Sequence, residues 1–418
     1  MTRLKNILTS LLPGIFLIGY NVGTGSVTSM SKAGANFGLD LLWTILISCI
    51  ITYYLINLVS RFTMVSGKTL IQGIKEDIHP SVAIILIIAC SFIILIALTG
   101  LLGILADVLE VWSRTFISKG IPSIIWAVIL AAFVFVLLWM GNYSFFEKVL
   151  AVLVSIMGVA FIATMIINLP SLKDLGAGMI PSLPETAEGS DNGPLMVISA
   201  MVGTTVSVFV FIIRSQIIQE KGWQINQQPM QRRDAFVSAS MMFILSAAIL
   251  ITAATTLYVK GLKMNTVVEM IPLLEPIAGR AALGVFVIGI MAAGLSSHLP
   301  NLLVIPWLII DYRKKERNTR TRFNRILFSS LSVFSVLGLV LGFKSVFVLL
   351  LSQTCIAIVL PLTIGSLFYL STKKGLMGNH TNKISDIVIL SLIMIFALYM
   401  SSLGVKGLIA DLTNIIRI

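Results

Sequence analysis

"GYNVGTGSVTSM", Gly19 to Met30, interrupts a stretch that is otherwise apolar enough to cross a membrane. Gly19, Gly23 and Gly25, with Asn21 and the hydroxyls of Thr24, Ser26, Thr28 and Ser29, stand where a lipid-facing helix would carry Leu, Ile and Val. A helix in hydrocarbon satisfies its backbone internally, and irregular backbone is tolerated there only where it lines a cavity. The segment therefore reads as a spanning helix unwound near its middle.

Outward from it, the chain has 418 residues, 57% hydrophobic and 11% charged, a balance that no soluble domain of this size can bury. Apolar runs long enough to span a bilayer recur near 11–30, 37–58, 81–106, 122–140, 145–168, 194–218, 234–258, 279–310, 326–343, 346–370 and 384–403. The expectation is an all-α polytopic membrane protein of about eleven transmembrane helices, with residues 1–418 forming one domain. Arg3 and Lys5 before the first run imitate a signal peptide. No small-x-small cleavage site follows, so the run reads as a retained first helix. Cys49, Cys90 and Cys355 all lie within apolar runs and suggest neither disulfides nor a thiolate metal site.

The net charge of +12 is informative through its location. With the N-terminus inside, nineteen Lys and Arg fall on the cytoplasmic connections and ten on the opposite ones, and Arg214 lies within a span. The positive-inside rule then places the N-terminus in the cytoplasm and, with eleven spans, the C-terminus outside a plasma or inner membrane. The run "DYRKKERNTRTRFNR", Asp311 to Arg325, reads as a loop held by anionic headgroups, with no nucleic acid as partner.

A second interruption changes the weight of the first. In "SAMVGTTVSVFVF", Gly203, Thr204, Thr205 and Ser207 again set a glycine and hydroxyls in mid-span, now in the sixth helix. Breaks in helices one and six are what two inverted five-helix repeats produce, here about 11–168 and 194–370, with 384–403 as an extra helix. Such a pair marks a secondary transporter whose site lies at the bilayer midplane. The candidate substrate-binding residues are Asn21, Val22, Gly23, Thr24, Gly203, Thr204 and Ser207.

The stretch "LLPGIFLIGYNVGTGSVTSMSKAGANFGLDLLW" resembles the first-helix segment of the Nramp family of divalent metal transporters. Pro13-Gly14, Gly19-Tyr20, Ala33-Gly34, Phe37-Gly38 and Leu41-Leu42-Trp43 stand in that family's pattern. "AAGLSSH", Ala292 to His298, resembles its eighth helix, and Ser352, Gln353, Leu360 and Pro361 its tenth. The resemblance implies a LeuT-type fold with broken helices 1 and 6, and proton-linked uptake of a divalent metal. It also marks a divergent member. The metal-binding Asp and Asn of the family's Asp-Pro-Gly-Asn become Asn21 and Thr24, its proline becomes Val22, and its sixth-helix methionine becomes Ser207. The family's tenth-helix glutamine aligns with Val359, and the third helix carries no acid before Asp107.

Metal ligation by position falls to Asn21, Thr24 and Ser207. A carboxylate about 2.2 Å from a divalent ion contributes on the order of 15 kcal/mol at an effective dielectric of about 20, before desolvation. Neutral oxygens cannot match that, so within the metal reading a hard ion such as magnesium is favoured over manganese or iron. A small polar organic solute, moved by ion coupling or passively, is the alternative cargo. Arg214 either snorkels to the interface, closes a gate by ion pairing or repels cations as a fixed charge. His298 is either a core histidine bonded to a carbonyl or a proton carrier, and Gln353 joins these two as a gating or proton-path candidate. No cofactor is expected, a proton or sodium ion would be the coupling ion, and a monomer surrounded by lipid is the expected state. An enzyme is excluded: Ser296 and His298 stand about 200° apart around one helix and cannot act as nucleophile and base.

Overall fold

The structure, a computed structural model, describes residues 23–140, 144–185, 192–315 and 321–416. Asn21, Val22 and the first half of the first expected span lie outside them. The described helices are α1 (Thr24–Phe37), α2 (Leu42–Ser66), α3 (Pro80–Ser113), α4 (Ser123–Met140), α5 (Ser144–Ile167), α6a (Pro194–Thr205), α6b (Val208–Glu220), α7 (Gln228–Thr256), α8 (Ala282–Tyr312), α9 (Arg322–Val340), α10 (Ser345–Thr372) and α11 (Ile384–Ile416). Among the described residues ten helices are long and apolar enough to cross a membrane, with α6a and α6b counted as one. They coincide with the second to eleventh expected spans.

Burial sorts these helices into two shells. The segment Pro194–Glu220 is wholly buried across its apolar window, and every residue of α1 is buried. A helix closed off on all faces belongs at the centre of a bundle. Around this centre stand α2, α3, α7, α8 and α10, while α4, α5, α9 and α11 present Val128, Val152, Val333 and Ile395 outward, as lipid-facing helices do. Small residues set the closest crossings. A methyl group on Gly34 would overlap the Leu250 carbonyl of α7, and one on Gly203 would overlap the Gln353 carbonyl of α10.

The sixth helix breaks without proline or bound glycine φ. Val206 caps α6a at φ −93° and ψ 62°, and Ser207 is extended at φ −81° and ψ 128°. Three consecutive β-branched residues, Thr204, Thr205 and Val206, weaken the helix locally. Thr52 Oγ1 on α2 then donates to the Thr205 carbonyl at 3.0 Å, replacing the helical amide that the break removes.

Most loops expected on one side of the membrane converge at one end of the bundle, here termed the basic end. Lys68 pairs with Asp77 at 2.6 Å and Glu76 at 3.2 Å, Lys314 with Glu76, Lys373 with Asp77 at 3.5 Å, and Arg61 with Asp386 at 3.2 Å. Glu76 and Asp77 sit in the π-helical turn Ile74–Ile78 that leads into α3. Lys32, expected at the opposite surface, is instead fully buried and donates to Asn265 Oδ1 at 3.1 Å. Its aliphatic stem packs in the bundle and only its ammonium seeks a polar partner.

Candidate functional site

A cavity of about 50 Å³ lies at the break, between the start of α1, the α6a–α6b junction, and the faces of α3, α8 and α10. Gly23, Gly25 and Ser26 form one wall, and Thr204, Ser207 and Phe209 another. Ser297 and Asn301 enter from α8 and Gln353 from α10. The α3 wall is apolar, made by Ile93, Ile94, Ala97 and Leu101. The hydroxyls of Ser26 and Thr204 are hydrogen-bonded at 2.9 Å, so α1 and α6a meet at the cavity.

The local backbone determines the field. Val206 N–H bonds the Val202 carbonyl at 2.7 Å, and among the described residues no backbone amide bonds the carbonyls of Gly203 or Thr204. The carbonyl end of α6a therefore offers partial negative charge, while the first amides of α1 and α6b partly offset it. Among the described residues no carboxylate, thiol or thioether lines the cavity. Its chemistry is that of neutral oxygens.

The sequence candidates divide accordingly. Gly23, Thr204, Ser207 and Gln353 line the cavity, whereas Thr24 and Gly203 do not. Thr24 is buried with its hydroxyl unpartnered among the described residues, and Gly203 serves the α6a–α10 crossing. Asn21 and Val22 lie outside the described residues. The amide of α10 at the cavity comes from Gln353, not from the position of Val359. Gly25 lets it approach: a Cβ there would stand 2.9 Å from Gln353 Nε2.

Arg214 does not snorkel. It is completely buried, and its Nη1 lies 2.5 Å from Asp234 Oδ2 of α7. Its Nε donates to Ser60 Oγ at 3.3 Å, and Gln231 Nε2 donates to the same oxygen at 2.9 Å. The guanidinium also lies 5.7 Å from the Trp223 ring centre. Paired so closely, it is no net positive charge facing a cation. His298 is also fully buried, and among the described residues neither ring nitrogen has a hydrogen-bond partner, so the carbonyl-bonded core histidine is absent. It does not line the cavity that its neighbour Ser297 lines.

The acids of α3 belong elsewhere. Asp107 accepts from Ser345 Oγ at 2.7 Å and, with Glu110 and Arg114, lines a separate cavity of about 420 Å³ at the end opposite the basic one.

Residues 14–406 match the family model described as natural resistance-associated macrophage protein-like. The chain belongs to the Nramp family. It is 24% identical over 439 residues to the natural resistance-associated macrophage protein 2 homolog of Dictyostelium discoideum, an alignment covering 98% of this chain and 65% of that relative. It is 25% identical over 385 residues to the divalent metal cation transporter MntH of Nostoc sp. PCC 7120, covering 88% and 84% respectively. The fold is that of the Eremococcus coleocola manganese transporter, at a TM-score of 0.78 and 18% identity over 98% of this chain and 88% of that one. It is shared more distantly with the inward-facing form of Mhp1, at a TM-score of 0.54 and 16% identity over 96% and 88%. The architecture is thus LeuT-type, and the members of this family are transporters, not enzymes.

Sequence reasoning missed Ser26, Ser297 and Asn301. Ser297 and Asn301 are four apart and share one face of α8, but that spacing does not say which face meets the cavity. It also missed Asp234, the only acid of α7, which could have been matched to Arg214, the only base of the sixth span.

Proposed function

We propose that this protein is a secondary transporter that carries a divalent metal cation through the cavity at the α6 break, with a hard ion such as Mg2+ as its preferred cargo. The observation that supports this most is the cavity itself: about 50 Å³, with the hydroxyls of Ser26, Thr204, Ser207 and Ser297 and the amides of Asn301 and Gln353 facing an apolar α3 wall. That volume suits an ion with a few waters, since each water needs roughly 10–15 Å³ by the same measure. It disfavours an organic solute. Neutral oxygen ligands and retained water suit Mg2+, and a lining without a thioether among the described residues removes the preference for softer ions.

The ligands in this reading are Ser207 and Thr204, the carbonyls of α6a and Gln353, with Asn21 of the first helix by position. A site without carboxylate holds its ion weakly, which favours release over capture. The coupling ion is a proton or sodium. With α3 apolar where it meets the cavity, proton coupling would have to use another group, and His298 is the buried candidate. The inverted repeats, 11–168 and 194–370, would rock about the site, with α11 outside them. The protein works as a monomer in a plasma or inner membrane, its basic end cytoplasmic and anchored by anionic lipid.

Calorimetry and vesicle uptake test the reading. Mg2+ and Mn2+ should bind within about tenfold of one another, with Kd of roughly 0.1–1 mM. Micromolar, Mn2+-selective binding would overturn the hard-ion assignment. A purified protein that takes up no divalent ion, but does take up a polar metabolite, would overturn metal transport.

A further inference from the structure

We infer that α8 supplies two direct ligands to the transported cation, Ser297 Oγ and the Asn301 side-chain carbonyl, which take the place of the missing carboxylate and thioether. The inference rests on the proposed metal transport and specifies its site. Both residues line the cavity opposite the broken helices, and both are more than nine-tenths buried, at 6% and 8% exposed. Spaced four apart, they lie one above the other on the helix face turned to the break.

The hydrogen bond of Ser297 orients it for this role. Its hydroxyl donates to the Ala293 carbonyl at 2.9 Å, so its proton is engaged within its own helix. The lone pairs remain available, and a hydroxyl in that state is an acceptor only. Asn301 contributes an amide oxygen, a common ligand for hard cations. The apolar wall of Ile93, Ile94, Ala97 and Leu101 can provide no oxygen from α3. Apart from the two broken helices, a cation here can therefore be completed only from α8 and α10. Ser296 provides an internal control, because its hydroxyl makes the same bond to Ala293 at 2.9 Å but does not line the cavity.

The test is calorimetry of the purified full chain with Mg2+ and Mn2+, with thermal melts to verify folding. Ser297→Ala and Asn301→Ala should each weaken binding of both ions by about tenfold, and Ser296→Ala should leave it within about twofold. Asn301→Asp should tighten both by about tenfold or more, because it sets a full negative charge against the ion. Should either alanine variant fail to fold, Asn301→Asp carries the test, and unchanged affinity in it overturns the assignment. Wild-type binding left within about twofold by both alanine variants overturns the α8 ligands alone. A wild-type protein that binds neither ion overturns the metal reading and this assignment with it.

Discussion

Arg214 and Asp234 form a charged pair with no aqueous surface, at 0% and 1% side-chain exposure. Two opposite charges 2.5 Å apart offset each other's desolvation, but either one alone would be stranded. Asp234→Asn should therefore destabilise the protein by about 3–5 kcal/mol, read as a lower melting temperature in detergent. The double replacement Arg214→Met with Asp234→Leu should recover most of that loss, since an apolar pair of similar volume packs without a desolvation penalty. Gly203 carries a different constraint, of shape and not charge. Gly203→Ala forces a methyl group against the Gln353 carbonyl and should cost about 1–3 kcal/mol or prevent folding, while also moving α10 away from the cavity.

The α6 break and the turn before α3 show how elements are held at their irregular points. Thr52 is the α2 side chain that compensates the Thr205 carbonyl, so Thr52→Val should cost about 0.5–1.5 kcal/mol and loosen the junction. At the basic end, the Lys314 hydrogen bond holds the Glu76 carboxyl below its usual range, and the Asp77 hydrogen bond raises the Lys68 ammonium above its own. The signs give a pH window. Glu76 contributes stability above its ordinary value of 4.5, and this is lost as pH falls through its lower folded value. Lys68 contributes fully below its ordinary value of 10.5, and this is lost as pH rises through its higher folded value. Glu76→Gln should flatten the decline in melting temperature between about pH 6 and pH 3, while leaving neutral stability lower than in the wild type.

For the whole molecule, the convergence of Lys68, Lys314 and Lys373 on one acidic turn binds the connections before α3, after α8 and after α10 into one surface. If that surface is cytoplasmic, a cysteine placed at Lys315 should react with an impermeant reagent only in inverted vesicles. A cysteine at Lys260, beyond α7 at the other end, should react only in right-side-out cells. The opposite pattern would reverse the proposed orientation.

The second to eleventh spans, the all-helical class and the break in the sixth helix were legible in the sequence, because lipid forces each crossing helix to be continuously apolar and makes a polar interruption conspicuous. Thr204 and Ser207 could be read for the same reason, since they occupy the interruption itself. Ser297 and Asn301 could not, because α8 runs unbroken past the cavity and only its packing against α3, α5 and α1 shows which face meets that cavity. Arg214 was visible as a charge in a span, but its meaning depended on Asp234, 20 residues away in sequence and on another helix. One-dimensional pattern reports how each segment meets its solvent. Which side chains share a cavity, and which charges neutralise each other, depends on rotations and crossings between helices, and those were decided by tertiary packing.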